Sequence, residues 1–159
     1  MPVRLNHRND HRNDHRTRTA NGTELPVDPG TKSLSPVVAV FGAPGRVAGL
    51  AAQLPRGWAL RRPGGLDDVR AGDLVLFANA SAADVATARD VLPRCTRIVA
   101  VVDAQSPAEL VADVLTAGAD VCVRGGQPAI LASHLVACRR RQLADRWSNL
   151  QNMAQLPQP

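Results

Sequence analysis

Apolar and polar positions alternate between two periods along this chain. Pro36-Val37-Val38-Ala39-Val40-Phe41 is a continuous apolar run of strand length, ended by Gly42-Ala43-Pro44-Gly45. Val47, Leu50, Ala51 and Leu54 then recur at helical spacing and predict a first helix. Trp58 to Arg61 reads as a short strand closed by Pro63-Gly64-Gly65, and Leu66 to Ala71 as a second helix of little more than a turn. Asp73-Leu74-Val75-Leu76-Phe77-Ala78 is a third strand of the buried type. Ser81, with Asp84 three residues on, gives a capping-box-like start to a third helix that ends near Pro93. Arg97 to Val102 is the fourth strand. Ser106 as N-cap, Pro107 at the first helical position and Glu109 predict a fourth helix, which Gly118 stops. Asp120 to Val123 is the fifth strand. Pro128 opens a fifth helix with Leu131, Leu135 and Cys138 on one face, running through Arg139-Arg140-Arg141 toward Trp147.

Five strands thus alternate with five helices. Strands that are apolar on both faces, joined by helical crossovers, predict a parallel sheet covered on both sides. At this length the expected solution is the flavodoxin-like doubly wound α/β fold, a five-stranded parallel sheet in the order 2-1-3-4-5.

The 159 residues leave room for one such domain, expected over 36–147. Residues 1–35 show no apolar periodicity and are expected as a disordered tail and linker. They carry His7-Arg8-Asn9-Asp10, then His11-Arg12-Asn13-Asp14, then His15-Arg16. On a helix those imidazoles would share a face and suggest a metal tract, but nothing apolar offsets the entropy of ordering the segment. Residues 148–159 are expected as a flexible tail. Hydrophobic residues make up 45% of the chain and aromatic ones 3%, so the core must be Ala, Val and Leu, and a base-stacking surface is not expected. No apolar run reaches the length of a membrane span, and the amino terminus lacks the apolar stretch of a secretory signal, so the expected address is cytoplasmic.

The net charge of +5 is spread thinly, and Lys32 is the single Lys among 19 Lys and Arg residues. That bias matches GC-rich coding better than a nucleic-acid footprint. Cys95, Cys122 and Cys138 are scattered and make neither a disulfide framework nor a zinc site. Gly42-Ala43-Pro44-Gly45-Arg46 evokes a phosphate-binding turn. Val47 and Ala48 stand where a Walker loop needs Lys and Ser or Thr, so a plain strand-to-helix turn is expected. His134 has no neighbouring nucleophile or acid in sequence.

Asp73-Leu74-Val75-Leu76-Phe77 and Leu115-Thr116-Ala117-Gly118-Ala119-Asp120 resemble stretches of the receiver domain of two-component response regulators, and the resemblance spans roughly residues 36–142. In that family two acids after the first strand hold Mg²⁺, an Asp ending the third strand accepts phosphate, a hydroxyl on the fourth senses it, and a Lys after the fifth balances its charge. Here the acid pair aligns with Phe41 and Gly42, the acceptor with Ala78 or Asn79, the hydroxyl with Val102, and the Lys with Arg124 or Gly125. The resemblance therefore implies the fold without the chemistry: a phosphorylation-independent pseudo-receiver with no catalytic residues, metal or cofactor. It would regulate signalling or transcription through a protein partner. Only 12 residues follow Trp147, so a DNA-binding domain, often joined to such modules, is not expected here, and direct DNA binding is not expected either. In receivers the fourth helix, fifth strand and fifth helix commonly form a dimer face. Self-association there is expected, with Arg139 to Arg141 and Arg146 near one end and Asp113 and Asp120 free for charge pairing. Two other readings remain open. One is a small-ligand sensor whose crevice is lined by Asn79, Asp103 and Arg124 at the strand carboxyl ends. The other is a receiver-like localisation module of a septum-site or pilus-assembly ATPase system.

Overall fold

A computed structural model describes residues 35–154. The expected tail over residues 1–35, apart from Ser35, and the last five residues of the carboxyl-terminal tail lie outside the described residues. The five strands are β1 (Val37–Gly42), β2 (Ala59–Arg61), β3 (Leu74–Ala78), β4 (Ile98–Val102) and β5 (Val121–Arg124). The α-helices are α1 (Leu50–Gln53), α2 (Ala82–Val91), α3 (Ala108–Thr116) and α4 (Pro128–Ala154), with 3₁₀ turns at Pro44–Val47 and Leu66–Asp68.

All five strands are parallel and lie in the order β2-β1-β3-β4-β5, the flavodoxin-like arrangement. Side chains alternate across the sheet with a period of two, which divides the core between its faces. Val38, Val40, Leu74, Leu76, Val99 and Val101 meet Leu50 of α1 and Leu131, Leu135 and Cys138 of α4. Ala39, Val75, Phe77, Ile98, Ala100 and Val102 meet Val85 and Ala88 of α2 and Val114 of α3. Every residue of β3 and β4 is buried, because both strands are central and covered on both faces.

The helices depart from expectation where local chemistry breaks them. The first expected helix is split into a 3₁₀ turn and the four-residue α1, because Gly49 between them is held at φ +79°, in the left-handed region. The second expected helix shrinks to the single turn Leu66–Asp68, where Asp68 accepts from the Gly64 amide at 2.9 Å and pins the turn. Ser81 caps α2 as expected, with the Ser81–Asp84 capping box complete in both directions. Ser106 does not cap α3. The helix starts at Ala108 with Pro107 in the N-cap position and no side-chain cap, while the Ser106 amide turns back to the Asp103 carbonyl at 3.0 Å.

The last helix continues to Ala154, so Ser148 to Ala154, expected within a flexible tail, are helical. At 1.5 Å per residue its 27 residues measure about 40 Å, against roughly 20 Å for the height of a sheet whose longest strand has six residues. Leu131, Leu135, Cys138 and Gln142 form its buried stripe, and nothing after Gln142 is buried.

Acids and arginines at the opposite, amino-terminal edge of the sheet build a polar network. Asp73, 6% exposed, accepts from Arg61 Nη2 at 2.9 Å and from the Arg70 amide at 3.0 Å. Asp120 accepts from Arg89 at 2.6 Å, Arg97 at 2.5 Å and the Ile98 amide at 2.7 Å. Asp120 is therefore spent inside the fold rather than free for charge pairing with a partner. Arg139, expected near one end of the dimer face, is likewise engaged within the fold: it donates to the Gly72 carbonyl at 2.8 Å and to Gln142 Oε1 at 2.7 Å.

Candidate functional site

In parallel α/β sheets ligands bind at the carboxyl ends of the strands, and Phe41, Gly42, Ala78, Asn79, Val102 and Arg124, the positions singled out from the sequence, all fall there. β1 ends at Gly42, whose φ of +85° lies in the left-handed region. A Cβ at Gly42 would sit 2.2 Å from the Ala78 carbonyl oxygen, which accepts from the Ala43 amide at 3.1 Å. No acidic side chain can stand at that position unless the backbone of β1 or β3 moves. Its neighbour Phe41 is half-buried and stacks on Phe77 with ring centroids 5.3 Å apart.

The end of β3 is closed in the same manner. Ala78 is buried, and Asn79 adopts φ +74°, the one non-glycine residue with positive φ among those described. The amides of Asn79 and Ala80 both donate to the Val101 carbonyl at 2.9 Å. Val102 is buried at the end of β4, and the Gly125 amide donates to its carbonyl at 3.0 Å. Arg124 pairs with Val102 in the strand register, and its residue is exposed.

One carboxylate does stand at this edge. Asp103 follows β4, and Arg46 Nη2 donates to its Oδ2 at 2.5 Å, while Oδ1 accepts from the Gln105 amide at 3.1 Å. The Gln105 amide, with Arg46 beside it, holds the Asp103 carboxyl below its ordinary range. Arg46 is itself fixed from behind: a Cβ at Gly126 would lie 2.2 Å from its carbonyl oxygen, so the loop from β5 to α4 packs directly on the turn after β1.

Of the expected crevice residues, the structure thus gives Asp103 a partner that sequence reasoning did not assign to it. The turn Gly42 to Arg46 carried the only signal, a cation placed at a strand's carboxyl end. Its target, 57 residues away, depends on the tertiary approach of two loops. Among the described residues no group of three or more His, Cys, Asp or Glu side chains is placed to hold a metal ion. No helix among them is long and apolar enough to cross a membrane.

A second concavity lies on the flank of the sheet. A groove of about 750 Å³ runs between α1 and α4, lined by Gln53, Pro55, Ala129, Ala132, Ser133 and Val136, with Arg140 and Arg141 at one end. No family model matches the chain, and no curated protein matches it.

Proposed function

We propose that this chain is a pseudo-receiver: a regulatory module of the receiver type that acts in the cytoplasm by protein contact, without phosphorylation. The observation that carries this reading is the backbone closure of Gly42 on Ala78. A phosphoryl-accepting site needs a carboxylate nucleophile and further carboxylates for Mg²⁺. Here the aligned positions carry Phe41, Gly42, Ala78 and Asn79, two of them with backbones in the left-handed region. The remaining carboxylate, Asp103, is engaged by Arg46 and the Gln105 amide. An acyl phosphate there would have to displace that guanidinium and would have no second acid to bring a metal. Without a charge change at this edge there is no trigger for a phosphate-driven switch, so signalling is carried by surface contact.

The test is incubation of the chain with a small-molecule phosphodonor and Mg²⁺, followed by intact-mass measurement. The expected result is an unchanged mass. A stable phosphoryl adduct on Asp103 overturns the reading.

A further inference from the structure

The part of α4 beyond the sheet is the least explained feature of the fold. Leu143, Trp147, Leu150 and Met153 are 39%, 68%, 58% and 70% exposed. At about 3.6 residues per turn, Leu143, Trp147, Leu150 and Ala154 fall on one stripe. The same stripe, followed back toward the start of α4, passes through Arg140, Val136, Ser133, Ala132 and Ala129, which line the groove beside α1. One face of one helix therefore carries a concave half of small residues and a convex half of large ones.

We propose that two copies of this chain pair through α4 in antiparallel fashion, each seating Trp147 and Leu150 of one copy in the α1–α4 groove of the other. This names the partner for the contact-based reading above and rests on it for the sense of that contact.

The occupant is a second copy because of how the two halves are spaced. The groove centres between Ser133 and Val136, the ridge between Trp147 and Leu150, and the midpoint falls at Arg141 and Gln142. A two-fold axis at that midpoint sets Trp147 opposite Val136, Leu150 opposite Ser133 and Ala154 opposite Ala129, and does so twice. That self-complementarity is what an isologous interface requires. An unrelated partner would need to match only one half.

Area agrees with this pairing, and charge sets a limit on its strength. Asp145 and Arg146 are the only charged residues from Leu143 to Ala154, and Asp145 is tied to Arg97 on the other side of the helix. Arg146 borders the ridge between Leu143 and Leu150, but its guanidinium turns back toward the domain, with Nη1 4.0 Å from where a Cβ at Gly72 would lie. An in-register parallel pair would set Arg140 against its own copy and leave both grooves empty. The antiparallel pair fills both grooves and sets it against Leu143, whose side chain its aliphatic stem can cover, although Arg140 and Arg141 of both copies then gather around the axis and weaken the pair. The ridge exposes on the order of 400 Å² of side chain per copy, and with both groove walls the pair buries roughly 1,000–1,200 Å², the small end of specific interfaces. Association is expected to be weak, because the interface is small and gathers like charges near its axis.

The test is sedimentation of the full chain over a concentration series. The expected result is a reversible monomer–dimer equilibrium, weakened at least about tenfold by Trp147→Glu. Trp147, Leu150 and Ser133 are exposed, so these variants keep the fold, which an unchanged thermal melt verifies. Ser133→Lys and Leu150→Glu are each expected to be monomeric alone and to form a heterodimer when mixed. The introduced ammonium and carboxylate then face each other at one of the two contacts, and the other contact keeps its original side chains. A wild-type chain that stays monomeric to about 1 mM, or a dimer indifferent to Trp147→Glu, overturns the proposal. So does a mixture that fails to dimerise. The phosphodonor experiment reads the strand ends and not this helix, so the two readings fail separately.

Discussion

Arg46 and Asp103, 57 residues apart in the chain, meet at 2.5 Å and tie the loop after β1 to the loop after β4. The pair lies at the carboxyl-terminal edge of the sheet, with both side chains partly open to solvent. Asp103 also accepts from the Gln105 amide, the larger of the two influences that lower its pKa. Replacing Arg46 by Ala should therefore raise the Asp103 pKa only part of the way to the ordinary carboxylate value. Carbon-detected NMR titration of the carboxyl group reads this directly. Because the folded-state pKa is depressed, the associated stability is present above the unfolded value near about pH 4 and is lost as pH falls through the folded value. Both side chains are well exposed, so acid should loosen this edge without unfolding the domain.

Asp120 behaves differently, because its three donors converge on a side chain only 14% exposed. Arg89 comes from α2, Arg97 and the Ile98 amide from the start of β4, and Asp120 itself precedes β5. Asp120→Ala removes the carboxylate from two partly buried guanidinium groups, leaving Arg89 with the Gly118 and Thr96 carbonyls and Arg97 with Asp145, and takes the side-chain acceptor from the Ile98 amide. The expected cost is about 3 kcal/mol, read as a lower urea midpoint with an unchanged slope. Asp103→Ala, tested alongside, should shift the midpoint far less.

Two glycines should rank clearly by what stands in front of them. At Gly118, φ is +115° and a Cβ would lie 2.6 Å from Arg89 Cγ, part of a side chain that can shift at the expense of its bond to Asp120. At Gly42 a Cβ would lie 2.2 Å from a backbone oxygen inside the sheet, which cannot. Gly118→Ala should cost about 1–3 kcal/mol, and Gly42→Ala more, by the same denaturation measurement. A Gly42→Asp variant, which would place a carboxylate at the end of β1, should fold worse still and gain no Mg²⁺ affinity.

The sheet was readable from the chain because its signal is local. The apolar runs at Leu74–Ala78 and Ile98–Val102 are buried on both faces throughout, and that at Val37–Gly42 over Val38 to Val40, so none needs alternation to be recognised. Parallel crossovers then restrict the order. The Ser81–Asp84 box was equally legible, since its partners are three residues apart. What the pattern at Val47, Leu50, Ala51 and Leu54 could not reveal is that Gly49 would take a left-handed conformation and split the helix. The extension of α4 was obscured by Ser148, Asn149 and Asn152, residues of lower helix propensity, although Leu143, Trp147 and Leu150 keep its spacing. At the strand ends, the identities of Phe41, Gly42, Ala78 and Asn79 were legible as single letters. The closure of Gly42 on Ala78 and the link from Arg46 to Asp103 were not, because both arise from loops that meet only in the folded chain.

The three cysteines give a final prediction, which reports on how firmly α4 is held. Cys138 lies at 0% exposure in the core between α4 and the sheet, and burial pushes its thiol up, against a weaker opposing pull from Arg141. Cys122 on β5 is half-buried and its thiol is likewise raised by burial. Cys95 is exposed in the loop before β4. Only the thiolate reacts with an alkylating reagent, and the reagent must also reach it. Under native conditions near neutral pH, Cys95 should be alkylated first and Cys122 more slowly, with Cys138 protected until the domain opens. Peptide mapping by mass spectrometry over a time course gives the order. Alkylation of Cys138 at the rate of Cys95 would mean that α4 lifts from the sheet in the native state. The buried stripe Leu131, Leu135, Cys138 and Gln142 would then be insufficient to anchor a helix that carries nearly half its length beyond the core.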